Sequence, residues 1–266
     1  GVLRAVFCLF GTIPRSIRYT WPRFDQSIRR LRAHNISTDV YTFNLEPTAS
    51  QLVDGRLLDQ HDQAIINATH REWEKQAVVD AKIHSRCGAN LTRCMFKNNQ
   101  YYSRRVTLNA LRQLYSEARV AKWLKKSHYD VAIVVGPDYY LALNISIEEV
   151  RAASRPRNAD AIFTTNVNDG FGLAGCTNGF YIATPRALAP VLSRFYELPS
   201  PLLDAPREQE VDDYENVLMR SMNRTGIRRL RSGMVFFKVR GSGRVEWQGP
   251  SFGWHMPPPP PPPLPP

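Results

Sequence analysis

Val131 to Val135 is an unbroken apolar run bounded by Asp130 on one side and Gly136-Pro137 on the other, and residues 2–10 form a second apolar stretch. Runs of this length between turn residues predict strands buried on both faces. Residues 11–15 read as a loop, and Phe24, Ile28 and Leu31 recur at helical spacing over 24–33, so the chain opens on a strand-loop-helix unit. A second short strand is expected at 38–43, ending in Asn44-Leu45-Glu46-Pro47. Residues 104–126 carry the clearest helical pattern, with Val106, Leu108, Leu111, Leu114, Tyr115, Ala118, Val120 and Leu124 on one side. That helix leads directly into the 131–135 strand. Beyond it the pattern predicts a short helix at 146–153, strands at 160–164 and 179–184, helices at 185–196 and 211–223, and an edge strand at 234–240.

Residues 51–99 break the alternation. They are polar and weakly periodic, and read as an irregular insertion with short helices. From Gly249 the composition changes, and residues 257–266 are proline except for Leu264. Such a run adopts polyproline II and has no core of its own. Residues 250–266 therefore read as a disordered linker or stalk to another domain, with a ligand for a proline-reading module as the alternative. Residues 1–249 are expected to form one α/β domain, Rossmann-like, with a mostly parallel sheet flanked by helices. At 266 residues and 43% hydrophobic, the chain can build one sizeable core.

A formal charge of +11 calls for an anionic partner: nucleic acid, membrane head groups or a phosphorylated small molecule. The arginines are spread along the whole chain, and no basic run is interleaved with aromatics. A diffuse field around an anionic donor fits this better than a nucleic-acid groove, and no nucleic-acid partner is expected.

Asn-x-Ser/Thr sequons begin at Asn35, Asn67, Asn90, Asn144 and Asn223. Cys87 and Cys94 flank six residues of a polar stretch with no second ligand pair nearby, which suits a loop disulfide better than a zinc site. Cys8, inside the first apolar run, reads as a buried thiol. Together these features predict a protein of the secretory pathway, in the Golgi lumen or secreted. The sequence shows neither a signal peptide nor an apolar run long enough to span a bilayer, so any membrane anchor is expected outside this chain.

Several separated segments agree with one pattern. They are residues 7–16 (Phe7 to Ser16), 38–44 (Thr38 to Asn44, with Tyr41), 111–116 (Leu111 to Ser116), Val135-Gly136-Pro137-Asp138, and Asn168-Asp169-Gly170-Phe171-Gly172. In order and spacing, over residues 2–240, the chain resembles a group of GT-A-type glycosyltransferase-like proteins of algae, large algal viruses and microbes. The resemblance implies a GT-A-like fold that moves a sugar from a nucleoside-diphosphate sugar to a hydroxyl of a glycan or glycoprotein. It also implies that the first strand and its loop, with Gly11, together with Tyr41 and the helix before the acidic motif, help hold the nucleotide. An Asp-x-Asp motif would carry Mn²⁺ or Mg²⁺ on the diphosphate. Here the motif reads Gly136-Pro137-Asp138, with the second acid alone. That departure keeps open a catalytically inactive module that binds glycan or nucleotide; a polyanion or nucleic-acid binder is the remaining alternative.

The chemistry needs these residue types. A sugar leaving as a nucleoside diphosphate develops charge on the β-phosphate, and a divalent cation on hard oxygen ligands such as Asp138 stabilises it. Taken alone, Pro137-Asp138 also reads as a simple turn after a core strand. Arg15 and Arg18 follow the first strand where phosphates or base would dock. Arg112 and Arg119, seven apart, share a helix face; a solvated surface role is the alternative for each. An inverting transfer needs a base for the acceptor hydroxyl. Asp169, in a Gly-rich loop, is the first candidate, with an Asx turn as its alternative. Asp213 and Glu215, with Asp212, are rivals that would otherwise serve the helix N-terminus. His255, just before the proline run, is a weaker candidate ligand.

Overall fold

The computed structural model describes residues 1–47, 52–53, 56–96, 103–165, 178–199 and 213–246. Strand β1 (Leu3–Gly11) passes through a 3-10 turn (Ile13–Arg15) into helix α1 (Ile17–Ala33) and strand β2 (Ile36–Glu46). A small pair, β3 (Leu52–Val53) and β4 (Arg56–Leu57), and a 3-10 segment (Gln60–Ile65) precede β5 (His70–Lys75) and α2 (Gln76–Cys87). Then come α3 (Arg104–Leu124), β6 (Val131–Val135), β7 (Tyr139–Leu141), α4 (Ile147–Ala153), β8 (Ala161–Thr165) and β9 (Phe180–Ala183). The described chain closes with α5 (Pro185–Leu192), a 3-10 segment (Ser193–Glu197), α6 (Tyr214–Thr225), β10 (Arg228–Ser232), β11 (Phe236–Val239) and β12 (Val245–Glu246).

Seven strands form one sheet in the order β10-β8-β9-β6-β1-β2-β5. Only β9 runs against its neighbours there; β1 pairs in parallel with β2 and β6, β2 with β5, and β8 with β10. This is the expected single-domain α/β architecture with a mostly parallel sheet. A second, antiparallel sheet has the order β12-β11-β7.

The unbroken apolar runs have their cause in this topology. Ala5, Phe7 and Leu9 face a core shared with Phe24, Ile28 and Leu31 of α1, whereas Val6, Cys8 and Phe10 face Leu111, Leu114 and Ala118 of α3. A central parallel strand has no wet side, so neither set can be polar. Cys8 is the buried free thiol expected, and burial pushes it well above its ordinary pKa.

Two edge strands were not visible in the apolar pattern. Within 51–99, read as irregular with short helices, Gln76–Cys87 forms the helix α2, but His70–Lys75 forms strand β5. Arg228–Ser232 forms β10 at the other edge. An edge strand needs few buried side chains, and charge on it discourages pairing with other chains; both strands carry it. The strand expected at 234–240 forms instead as Phe236–Val239 in the small sheet.

Cys87 and Cys94 are joined in a disulfide, as expected, and both are fully buried. It closes the loop after α2, where Gly88 takes φ +85° and Tyr214 Oη donates to the Cys94 carbonyl at 3.0 Å. A loop this short is worth about 2–3 kcal/mol in chain entropy. Cys87→Ser is expected to lower the unfolding free energy by about that amount, read from the urea midpoint. No helix among the described residues is long and apolar enough to cross a membrane.

Candidate active site at the carboxyl end of the sheet

From β1 the chain first builds outward through β2 and β5, then returns to place β6 on the other side of β1. The gap between the carboxyl ends of β1 and β6 is therefore the topological switch point, where open α/β sheets bind ligands. Leu9 pairs with Val135, so the segments beginning at Gly11 and at Gly136 leave the sheet side by side.

Both segments are tied down. The Ile13 amide donates to Asn44 Oδ1 at 3.1 Å, and Asn44 is buried at the end of β2. Thr20 Oγ1 of α1 donates to the Pro137 carbonyl at 2.7 Å, and Ser16 Oγ to the Val239 carbonyl at 2.7 Å. The Val239 amide in turn donates to the Asp138 carbonyl at 2.8 Å. The backbone carrying Asp138 is thus clamped between α1 and β11. Its carboxylate folds over Gly136, where an added Cβ would lie 3.1 Å from Asp138 Oδ1. Gly11 adopts φ +103° with open space where a side chain would stand.

Beneath Asp138 lies a buried polar cluster. The Gly136 amide donates to the Gly179 carbonyl at 2.9 Å, and Tyr139 Oη donates to the Asn178 carbonyl. Burial first, then the charge of Asp138, push the Tyr139 phenol well above its ordinary value, so it stays a donor. Asn178 Oδ1 accepts from Arg194 Nη2 at 3.0 Å, and Arg194 pairs with Glu117 of α3 at 2.7 Å with both side chains inaccessible to solvent. Burial opposes the Arg194 charge, but Glu117 and Tyr181 more than offset it. Gly179 has φ +95° and an added Cβ would lie 2.8 Å from Tyr139 Oη. Gly179→Ala is expected to destabilise by about 1–3 kcal/mol, through strain and contact together, measured by denaturant titration.

The structure brings some predicted residues here and takes others elsewhere. Gly11, Arg15 and Asp138 stand at the carboxyl ends of β1 and β6. Arg18 lies in the first turn of α1, with Nη2 on the buried Asp62 at 3.2 Å and Nε buried without a hydrogen-bond partner. Glu215, in the first turn of α6, is within electrostatic reach of Tyr139. Asp213 is the N-cap of α6, accepting from the Asn216 amide at 2.7 Å. Its carboxylate serves the helix end in the way its alternative reading held.

Tyr41, Arg112 and Arg119 do not reach the crevice, and this corrects the expectation for them. Tyr41 is buried inside β2, paired in register with Cys8 and stacked on Trp123 at 4.1 Å. Arg112 makes a two-pronged pair with Asp80 of α2 at 2.7 and 2.6 Å. Arg119 meets Glu72 at 3.0 Å and Glu74 at 3.5 Å, over the ring of Phe43. The acids of β5 and α2 line the α3 side of the sheet and hold these arginines there. Asp169, Asp212 and His255 lie outside the described residues, as does the proline-rich tail.

Among the described residues no group of three His, Cys, Asp or Glu side chains converges to hold a metal. Among the described residues Asp138 is the carboxylate carried at the end of β6, so a cation held by it would rest largely on diphosphate oxygens and water.

Glu117, Arg194, Tyr139 and Asn178 were not picked out from sequence. The available signal was helical phase: Glu117 shares the apolar stripe of Leu114, Ala118 and Ala121, and Arg194 continues that of Leu188 and Val191. A charge on a buried stripe needs a partner.

No protein-family model matches this chain, and no curated protein matches it in sequence. Among solved structures, mouse xyloside xylosyltransferase 1 is similar at 12% identity and TM-score 0.39, over 85% of this chain and 77% of that one. Glucosyl-3-phosphoglycerate synthase from Mycobacterium tuberculosis, solved with Mn²⁺, UDP-glucose and phosphoglyceric acid, is similar at 13% identity and TM-score 0.35, over 85% and 81% of the two chains. Likeness at that level does not bear on activity.

Proposed function

We propose that this chain is a GT-A-like glycosyltransferase that moves a sugar from a nucleoside-diphosphate sugar to a hydroxyl of a glycan or glycoprotein. The observation that carries the reading is the meeting, at one switch point, of the Asp138 carboxylate, on its clamped backbone turn, with the N-terminal end of α1. That helix end has no acid in its first turn, carries Arg15 just before it and Arg18 within it, and leaves Arg18 Nε unpartnered. Backbone N–H groups, helix dipole and guanidinium together suit a diphosphate. A Mn²⁺ or Mg²⁺ ion held by Asp138 and the diphosphate would supply Lewis-acid stabilisation of the leaving group. The chain's own residues do the rest: Gly11 leaves its backbone open to the phosphates, Gly136 makes room for the Asp138 carboxylate, and Tyr139 and Thr20 hold the Asp138 turn in place. Asp169 remains the first candidate base for the acceptor hydroxyl, with Glu215, within electrostatic reach of Tyr139, as its rival.

The single acid of Gly136-Pro137-Asp138 favours one second reading, a module that binds the nucleotide without turnover. Secretory-pathway residence is proposed on the buried disulfide and on the exposed sequon asparagines Asn35, Asn67, Asn90 and Asn223.

Calorimetric titration with UDP and GDP, each with Mn²⁺ and with EDTA, tests the site in wild type and Asp138→Asn. Metal-dependent binding that disappears in the variant supports it. Failure of both nucleotides to bind wild type overturns it, and binding without hydrolysis or transfer of any donor sugar selects the second reading.

A further inference from the structure

The five sequons are equivalent in sequence but not in structure. Asn35 immediately precedes β2, Asn67 lies shortly before β5, and Asn223 is in the last turn of α6, just ahead of β10. These three strands run the same way: β5 is parallel to β2, β2 to β1, β1 to β6 and β10 to β8, while β9 is antiparallel to both β6 and β8. All three asparagines therefore stand at the amino-terminal end of the sheet, opposite the crevice. From Asn35 to Asn44, whose Oδ1 holds the loop after β1, strand β2 runs about 30 Å.

The side chains at that end are free to take a substituent. Asn35, Asn67 and Asn223 are exposed, and among the described residues none of their side-chain amides makes a hydrogen bond. Asn35 holds φ +60°, a left-handed conformation that asparagine tolerates. Asn67 leads to Thr69, whose amide donates to the Val40 carbonyl at 2.8 Å and whose hydroxyl accepts from the Val40 amide at 3.2 Å, so the turn is fixed although its asparagine is not. Two exposed apolar side chains lie beside these turns. Ile65, 46% exposed, is close before Asn67, and Val2, 52% exposed, precedes the Leu3–Ile36 pair and so stands beside Asn35. A bulky hydrophilic substituent covers such surface. Asn144 is the contrast. It is half-buried between β7 and α4, its Oδ1 accepts from Ser27 Oγ of α1 at 3.4 Å, and its sequon hydroxyl, Ser146 Oγ, caps α4 by accepting from the Glu149 amide at 3.1 Å. A sugar on that amide would push the turn off α1.

We infer that Asn35, Asn67 and Asn223 are acceptors of N-linked glycans that cover the amino-terminal end of the sheet and leave the crevice end bare, and that Asn144 stays unmodified in the folded protein. The inference rests on the secretory-pathway reading and is independent of whether the chain transfers sugar. In the modification, Nδ2 of the asparagine bonds the anomeric carbon of a lipid-diphosphate-linked oligosaccharide, the bond from that carbon to the diphosphate oxygen breaks, and the amide proton leaves with the lipid diphosphate.

The test is secretion of the full chain from cultured animal cells behind a cleavable signal, glycosidase release of N-glycans in heavy-oxygen water, and peptide mass spectrometry, in which each released site reads as a labelled aspartate. Label is expected at Asn35, Asn67 and Asn223 in most molecules and is expected to be absent at Asn144. Ser37→Ala, Asn67→Gln and Asn223→Gln are each expected to remove one glycan, read as one step in gel mobility; Ser37 is changed because replacing Asn35 itself would strain the left-handed backbone. Absence of label at any of the three sites, or label at Asn144 equal to theirs, would overturn the assignment. Because the signal imposes the compartment, that failure leaves natural residence untouched. A chain from its own cells that carries no glycan, although the three sites accept one here, would overturn the residence reading instead and leave the acceptor assignment standing.

Discussion

Replacing Arg194 with methionine is expected to lower the unfolding free energy by about 3–5 kcal/mol. The pair it forms with Glu117 has no solvent exposure on either side, so removing the cation strands a carboxylate in the core. Gln113 Nε2 at 3.0 Å is a neutral donor and cannot compensate a full charge. The loss would be transmitted: without Arg194, Asn178 Oδ1 loses its donor, and Asn178 and Gly179 supply the carbonyls that hold Tyr139 and the Gly136 amide. The double variant Glu117→Leu/Arg194→Met is expected to recover part of the loss, since apolar replacement of both partners removes the stranded charge. Urea unfolding of the two single variants and the double variant measures all of this. A single-variant loss below about 1 kcal/mol would mean that the pair does not support the fold as argued.

Asp138→Asn is expected to do the opposite: little to the fold and much to the chemistry. Asp138 is partly exposed and its tie to β11 runs through the backbone carbonyl, so stability should change by no more than about 0.5 kcal/mol. Asparagine keeps the shape but not the charge a divalent cation needs, and several kcal/mol of transition-state stabilisation correspond to a loss of at least about 100-fold in donor turnover. Release of nucleoside diphosphate from a panel of nucleotide sugars, with Mn²⁺ or Mg²⁺ present, is the readout. Unchanged turnover in the variant would remove Asp138 from the reaction.

The chain's local patterns determined a good deal. Apolar runs at residues 2–10, broken only by Arg4, and at 131–135 required central strands covered on both faces, and the periodicity of 104–126 required a helix lying on one of them; α3 ends within two residues of that expectation. Six intervening residues between two cysteines in a polar stretch pointed to the disulfide that forms. These features are legible because each depends on neighbours close in sequence or on which faces are dry. Edge strands β5 and β10 were hidden for the converse reason: their residues need not be apolar. The fates of the arginines were decided only in three dimensions. Arg112 and Arg119 share a helix face, as their spacing required, but that face meets the acids of α2 and β5 instead of the crevice. Arg15 and Arg18 stand instead where the loop after β1 opens at the switch point, a position set by the strand order, and Arg18 too takes a partner remote in sequence, the buried Asp62. Spacing along the chain orients side chains on one element, whereas their partners come from elements remote in sequence, and so the ion pairs that fix where each arginine goes belong to the tertiary structure alone.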